Sequence, residues 1–433
     1  MQKLALLEGR TEASRIKPYN EIGQEETDAA VRVLQSRNLS GFLGRAGDAF
    51  LGGPEVRAFE KAVQDFFGVK HAITYNSAST ALQGAIAALG IGPGDEVITS
   101  PYTMSATAMA VLYNNAIPVF ADLHPETYCI DPKSVEAKIT PRTKAILAVN
   151  IFGTSAEYDE LRAIADKHGL KIIEDNAQAA GGTYRGKYTG TIGDLGVFSL
   201  NVHKIIQSGE GGIITTNDDG YAWRAQLYRN HGENAIDDLK DSVPFEPIAG
   251  NNFRLSEVHA AIAHEQLKKL NKFIEARRSL AFYLTEKLQQ ISWLKPYNVP
   301  EYIKSVYYQY PMRYAGGLGI SRKTIAAALK AEAYPVGEGY QKPVYLFPIF
   351  QEKRMFPRTQ FPFVSSEFPS SVSYDKGICQ VVEKLYSEEM LTSTVILPPN
   401  SKESIDAFVD VLKKIEESKD ELIAYEKNTV RGS

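Results

Sequence analysis

Short, almost continuous apolar runs alternate with helical segments through the first half of the chain. Such runs are typical of strands covered on both faces, and the alternation predicts an α/β sheet sandwiched between helices. The candidate strands are residues 71–75, 96–100, 118–121, 144–150, 170–174, 196–200 and 212–216. The clearest candidate helices are residues 80–89, 107–114 and 156–168. This half of the chain is therefore expected to form one large α/β domain.

The pattern changes after about residue 257. Leu, Val, Ala and Ile recur at helical spacing through residues 256–279, which predicts a long amphipathic helix. The segments beyond it are a strand-like run at 307–313, a helix at 321–331, a Pro- and aromatic-rich stretch at 335–374 and a helix at 401–418. We place the domain boundary within the long helix, between a large domain of residues 1–265 and a smaller C-terminal domain of residues 266–433.

Composition excludes several classes of partner. The formal net charge of the 433 residues is −4, so no bulk positive field favours a nucleic acid or an anionic membrane. Cys129 and Cys379 are too few for a disulfide framework, and no Cys/His cluster predicts a metal site. No apolar run approaches the ~20 residues needed to span a bilayer. We expect a cytoplasmic protein without a metal.

A strand–turn–helix junction is predicted at residues 75–82. The strand ends at Tyr75, and the small residues Ser77, Ala78 and Ser79 lead into the helix. The free backbone N–H groups and dipole of a helix N-terminus can hold a phosphate, and small side chains allow it to approach closely. The alternative is an ordinary helix start with a serine cap.

A carboxylate follows another apolar strand, at the edge where open α/β sheets bind ligands. Asp175 stands at the end of that strand, and Gln178 follows three residues later. Such an acid can pair with a protonated ring nitrogen, and the amide can bond a neighbouring ring oxygen. The alternative is that Asp175 only caps the next turn.

Lys204 comes just after an apolar strand and before the glycine-rich turn that leads to the next one. Most lysines are solvated surface charges. This lysine lies between Val202, Ile205 and Ile206, where desolvation would lower its pKa and favour imine formation. We assign no catalytic role to the neighbouring His203.

Several ordered motifs resemble the DegT/DnrJ/StrS family of sugar aminotransferases. They are EDNAQA around Asp175, HKIIQSGEGG around Lys204, GNNFRLSE at 250–257, NSASTAL followed by GIGPGDEV, and PVFADLHPETYCIDP at 118–132. The resemblance runs from about residue 19 to the helix at 401–418. It implies a fold-type-I transferase dependent on pyridoxal 5′-phosphate, with a seven-stranded, mostly parallel sheet and a smaller C-terminal α/β domain. It also implies a homodimer with active sites at the subunit interface.

The resemblance also implies roles for individual residues. Lys204 would form the Schiff base with the cofactor, Asp175 would pair with the pyridine nitrogen, and Gln178 would contact the phenolic oxygen. The phosphate would be held by Ala78, Ser79, Ser199 and, from the other subunit, Asn252. Where the family usually stacks an aromatic residue on the cofactor ring, this chain has Met104, whose thioether can pack on a ring; Tyr102 is the alternative.

The expected reaction moves an amino group from glutamate or glutamine to a keto-sugar, foremost a nucleotide-linked 3- or 4-keto-hexose. A keto-cyclitol is the alternative acceptor. The related sugar dehydratases, which use the pyridoxamine form, have histidine in the position that Lys204 occupies here. Candidate contacts to a nucleotide-linked substrate are Arg254, Lys342, Arg354, Tyr340, Tyr345 and Phe350, with surface ion pairing or packing as the alternative.

Overall fold

The computed structural model describes residues 3–242, 245–334 and 336–431, and its elements follow the predicted alternation. The strands of the described residues are β1 His71–Tyr75, β2 Glu96–Thr99, β3 Ile117–Phe120, β4 Thr143–Val149, β5 Lys171–Asp175, β6 Thr183–Tyr184, β7 Lys187–Tyr188, β8 Leu195–Ser199, β9 Gly212–Thr216, β10 Leu294–Lys295, β11 Ile303–Lys304, β12 Tyr310–Tyr314, β13 Val336–Glu338 and β14 Met390–Ser393. The α-helices of the same residues are α1 Gln24–Ser36, α2 Pro54–Phe67, α3 Ala78–Ala88, α4 Ala106–Tyr113, α5 Pro132–Glu136, α6 Tyr158–His168, α7 Asp219–Arg229, α8 Gly232–Asp238, α9 Glu257–Leu288, α10 Arg322–Ala331, α11 Pro348–Gln351, α12 Gln380–Lys384, α13 Lys402–Glu417 and α14 Lys419–Arg431.

The main sheet has seven strands in the order β1-β9-β8-β5-β4-β2-β3. Strand β9 is antiparallel to both of its neighbours, and the other neighbouring pairs are parallel. The predicted seven-stranded, mostly parallel sheet is therefore confirmed. Strands β1, β5 and β8 run in the same direction, so their carboxyl ends meet at one edge of the sheet.

Adjacent residues of a strand point to opposite faces, and both faces of this sheet are buried. Ile73 and Ile214 pack in one cluster with Leu82 of α3. Their neighbours Ala72 and Ile213 pack in a second cluster, which includes Phe59 and Val63 of α2 and Leu270 of α9. Double burial explains why these strands read as continuous apolar runs in the sequence.

Helix α9 joins the two parts of the molecule and is longer than predicted, because it continues to Leu288. Leu267 and Leu270 belong to the cluster beneath the main sheet, whereas Leu284 and Leu288 pack with the C-terminal part of the chain. That part contains an antiparallel sheet in the order β10-β12-β14-β13. The N-terminal segment contacts it, since the Ala5 N–H donates to Glu332 at 2.9 Å. The division between residues 265 and 266 remains a prediction.

The Pro- and aromatic-rich stretch forms mainly irregular structure; Pro335, its first residue, lies outside the described residues. Tyr345 and Phe350 are fully buried and pack around Phe120 with Tyr374. Packing therefore accounts for these two aromatic residues. Tyr340 is different, because its side chain reaches the cavity described below.

Candidate active site

Lys204 lies in the loop that joins β8 to β9, at the carboxyl edge of the main sheet. It lines a cavity of about 410 Å³ together with residues of β5, α3 and the C-terminal part of the chain. The side-chain Nζ is 4.9 Å from the centre of the Tyr308 ring. Burial lowers the pKa of Lys204, while the negative charge of Asp175 opposes that shift. A desolvated amine of this kind loses its proton more readily than a surface lysine and is the better nucleophile.

Asp175 ends β5 at the same edge and lines the same cavity. Its Oδ2 accepts a hydrogen bond of 2.8 Å from the Thr107 hydroxyl, and its Oδ1 accepts one of 3.2 Å from the Ala177 N–H. Burial raises the pKa of Asp175, and these two donors and the Lys204 charge oppose the rise. The donors hold the carboxylate at the bottom of the cavity, where a protonated ring nitrogen would complete its pairing.

Gln178 is held by two contacts. Its Oε1 accepts from the Phe152 N–H at 2.8 Å, and its Nε2 donates to the Tyr340 hydroxyl at 2.9 Å. Phe152 has a left-handed backbone conformation, with φ of 57°. The backbone contact fixes which end of the amide is the oxygen, because an N–H can only donate.

The strand–turn–helix junction predicted after β1 is present, and α3 begins there at Ala78. The Ser77 hydroxyl caps this helix by accepting from the Thr80 N–H at 3.2 Å, so the serine cap is observed. The N–H groups of Ala78 and Ser79 lie in the first turn, where a helix provides no internal acceptors. Gly212 packs against the turn: a Cβ at this position would lie 2.4 Å from the Ser77 carbonyl oxygen.

The other predicted residues divide into two groups. Ser199 and Met104 line the cavity, and the Met104 side chain is 55% exposed. Tyr102 is fully buried behind the cavity, where its hydroxyl accepts from the Tyr340 N–H. Asn252 is exposed and lies outside the cavity of its own chain, in an isolated bridge to Asn230.

Thr107 and Tyr308 lacked a signal in the sequence, and Tyr340 was expected only as a substrate contact. Thr107 contacts Asp175 across 68 positions of the chain, and Gln178 contacts Tyr340 across 162. Tyr308 reaches the cavity from the segment before β12. Distances of this length along the chain reflect tertiary packing, which periodicity does not report. The candidate cations Arg254, Lys342 and Arg354, all within the described chain, lie outside the cavity.

A second acid of the same motif is buried inside the protein, next to the site. Glu174, the neighbour of Asp175, accepts hydrogen bonds of 2.6 Å from the N–H groups of Gly190, Ile192 and Gly193. Burial raises the pKa of Glu174, and the three N–H donors oppose that rise. The side chain therefore ties β5 to the loop before β8. The two adjacent acids of the motif therefore have different roles: Asp175 lines the cavity, and Glu174 binds backbone N–H groups inside the protein.

These groups match the chemical parts of pyridoxal phosphate. The turn before α3 offers backbone donors for a phosphate, the Asp175 carboxylate suits a protonated ring nitrogen, and Lys204 offers an amine for the aldehyde. A side chain at position 212 would clash with the Ser77 carbonyl oxygen, so glycine at this position leaves the turn undisturbed. Among the described residues, no group of three or more His, Cys, Asp or Glu side chains is placed to hold a metal ion. The described helices also include none with the length and apolar character needed to cross a membrane.

Comparisons with known proteins agree with this chemistry. The chain is 41% identical over 283 residues to the GDP-perosamine synthase of Caulobacter vibrioides, an alignment that covers 64% of this chain and 75% of that protein. It is 34% identical over 358 residues to the L-glutamine:2-deoxy-scyllo-inosose aminotransferase of Streptomyces paromomycinus, covering 81% and 82% of the two chains.

The fold and the family agree with these similarities. The solved structure of an aminotransferase from Psychrobacter cryohalolentis matches with a TM-score of 0.78 at 28% identity, over 93% of this chain and 99% of that one. Residues 42–373 match the DegT/DnrJ/EryC1/StrS aminotransferase family. The family and the cofactor predicted from the sequence are thereby confirmed. The chain belongs to the DegT/DnrJ/EryC1/StrS family and is a pyridoxal-phosphate-dependent sugar aminotransferase.

Proposed function

We propose that this enzyme transfers an amino group from glutamate or glutamine to the ketone of a nucleotide-linked 3- or 4-keto-hexose. The observation that carries the proposal is the desolvated Lys204 amine, which shares one cavity with the buried Asp175 carboxylate and the N-terminus of α3. The similarity to GDP-perosamine synthase, whose name denotes a nucleotide-linked amino sugar, supports the acceptor class. The similarity to an L-glutamine-dependent aminotransferase supports the donor.

In this proposal Lys204 carries the reactive amine and moves the proton during transamination. Burial lowers the pKa of Lys204, so a larger fraction of the side chain is neutral and able to accept a proton. The bound cofactor supplies an electron sink, which stabilises negative charge at the carbon that loses its proton. Asp175 keeps the ring nitrogen protonated, and the Thr107 and Ala177 donors keep Asp175 in place.

The remaining contacts bind and orient the cofactor. Ala78 and Ser79 offer backbone N–H groups to the phosphate, and the Ser79 and Ser199 hydroxyls add donors from the same cavity. Gln178 contributes an N–H to the phenolic oxygen. Met104 packs on the ring, because it lines the cavity while Tyr102 is buried behind it.

The proposal includes a homodimer in which Asn252 completes the phosphate site of the partner. Asn252 is exposed and lies outside the cavity of its own chain. Its bridge partner Asn230 donates a hydrogen bond to the Leu43 carbonyl, in a segment that carries two exposed leucines. Those leucines, Leu39 and Leu43, are 49% and 60% exposed. Apolar side chains beside a polar contact of this kind suit a subunit interface. A cytoplasmic location is part of the same proposal.

Mixing two inactive variants tests the shared site. Lys204→Ala removes the amine, and Asn252→Asp places a negative charge against the phosphate. A mixed dimer regains one complete site if Asn252 acts in the partner. About half of the dimers are mixed after equal mixing and random pairing, so about a quarter of all sites become active. Mixed dimers in which Asn252 acted within its own chain would stay inactive.

Two alternatives make different predictions. A keto-cyclitol acceptor is supported by the 2-deoxy-scyllo-inosose aminotransferase relative. A sugar dehydratase is disfavoured because position 204, whose charge interacts with Asp175, is a lysine, whereas those enzymes have a histidine there. Incubating the holoenzyme with glutamate or glutamine and a panel of nucleotide-linked keto-hexoses and keto-inositols distinguishes them by product mass. Amination of the keto-hexoses supports the proposal; amination of only the inositols, or loss of water without amination, refutes it.

A further inference from the structure

Tyr340 connects the C-terminal part of the chain with Gln178 and Tyr102. It follows β13 and lines the cavity, where its hydroxyl accepts from Gln178 Nε2 at 2.9 Å. The Tyr340 N–H donates to the hydroxyl of the fully buried Tyr102, at 2.6 Å. The side chain and the backbone of Tyr340 are thus both held by residues of the first half of the chain.

The directions of these hydrogen bonds follow from chemistry alone. The Phe152 N–H must donate, so the Gln178 atom that it contacts is the oxygen and the atom facing Tyr340 is the NH₂ group. Burial raises the pKa of the Tyr340 hydroxyl far above its ordinary value, and the Asp175 charge adds to the rise. The hydroxyl therefore stays neutral and accepts one of the two Nε2 hydrogens through a lone pair. The second Nε2 hydrogen remains available to another acceptor.

We propose that Tyr340 is a positioning residue that, with the Phe152 N–H, fixes the Gln178 amide so that its second N–H points to the phenolic oxygen of the cofactor. Without the Tyr340 hydroxyl, the Oε1 contact is the only hydrogen bond from the described residues that holds the amide, which can then turn about its terminal torsion. Tyr102 supports the arrangement by holding the Tyr340 backbone. This inference rests on the proposed role of Gln178 and adds a residue and a mechanism of orientation to it.

The test uses the holoenzyme and the pH at which its cofactor absorbance titrates. A donor to the phenolic oxygen favours the deprotonated form, because that form carries the larger negative charge on the oxygen. Tyr340→Phe keeps the ring and weakens the donation. We expect the titration midpoint to rise by about half to one pKa unit, the size of one neutral hydrogen bond. Tyr102→Phe should raise the midpoint in the same direction by a smaller amount.

The decisive comparison is made in the Gln178→Ala background. If Tyr340 acts through Gln178, the Tyr340→Phe change has no further effect on the midpoint once the amide is absent. Tyr374→Phe is the matched control: it removes a buried hydroxyl that donates to the Pro118 carbonyl at 2.9 Å, and it should leave the midpoint unchanged.

The outcomes separate this inference from the proposed function. A wild-type protein without any cofactor absorbance would refute the proposed function itself. A wild-type protein that titrates normally, combined with a Tyr340→Phe midpoint equal to wild type, would overturn the positioning role. An equal Tyr340→Phe shift with and without Gln178 would also overturn it, since the hydroxyl would then act by another route.

Discussion

Replacing Thr107 by valine removes one hydrogen bond from Asp175 while keeping the shape of the side chain. The Thr107 hydroxyl lies 2.8 Å from Asp175 Oδ2, and both side chains are at least 95% buried. Its single proton is used by Asp175, so the Thr103 hydroxyl, 2.8 Å away, donates to Thr107 in turn. The change therefore removes the last member of a two-hydroxyl relay that ends on the carboxylate.

The magnitude follows from the type of bond that is lost. A hydrogen bond to a charged group contributes about 1.5–3 kcal/mol, which corresponds to roughly one to two pKa units of Asp175. The Thr107 hydroxyl favours the ionised carboxylate, so its loss raises the pKa of Asp175 further above the ordinary value. If the ionised acid is required, kcat/KM falls about 10- to 100-fold at pH values below the wild-type pKa of Asp175. The loss becomes smaller as the pH is raised.

The assay is the half-reaction with the amino donor, followed by the change in cofactor absorbance across the pH range. We expect the acidic limb of the kcat/KM profile to move to higher pH in Thr107→Val. Thr216→Val is the control, because Thr216 is also buried and donates to the Asp194 carbonyl at 2.8 Å, away from the cavity. A Thr107→Val enzyme with the wild-type profile would refute the reasoning that this hydroxyl tunes Asp175.

Two further predictions concern the cofactor turn and the reactive amine. Gly212→Ala places a Cβ 2.4 Å from the Ser77 carbonyl oxygen and displaces the turn, so cofactor affinity measured by equilibrium titration should fall at least about 10-fold. Gly92→Ala, whose Cβ would meet its nearest neighbour at 3.9 Å, should leave that affinity unchanged, and equal effects of the two changes would contradict the steric explanation. In the cofactor-free enzyme, the rate of Lys204 modification by an aldehyde should rise with pH through a midpoint below lysine's ordinary 10.5, since burial lowers the pKa of Lys204. Asp175→Asn removes the charge that stabilises the ammonium and should move this midpoint still lower; an upward shift would be inconsistent with the proposed electrostatics.

The sequence reports the strands of the main sheet well, because burial on both faces leaves an apolar run that is visible without any neighbours. It does not report direction: nothing within residues 212–216 distinguishes the antiparallel β9 from the parallel strands beside it. The sequence also does not report where α9 ends. The predicted helix stops at residue 279, yet α9 continues to Leu288, because Leu284 and Leu288 pack against the C-terminal part of the chain.

The candidate site divides in a similar way. The sequence motifs identify Lys204 and Asp175 because each stands at or just after the end of a predicted strand. The carboxyl ends of parallel strands meet at one edge of the sheet, so the positions of these residues in the chain also predict their positions in space. Thr107 and Tyr340 were not assigned to these contacts, since their partners lie on other elements and their own segments carry no distinctive pattern. The aromatic stretch at 335–374 illustrates the limit: composition does not distinguish the packed Tyr345 from the cavity-lining Tyr340.

Borohydride reduction of the holoenzyme followed by peptide mapping tests the central claim most directly. Reduction makes the bond between the cofactor and its lysine permanent, so the modified side chain can be identified by mass. We predict that the tag lies on Lys204 and that Lys204→Ala yields no tagged peptide. A tag on any other lysine of the wild-type enzyme, or none at all in protein that binds the cofactor, would contradict the assignment of the reactive amine.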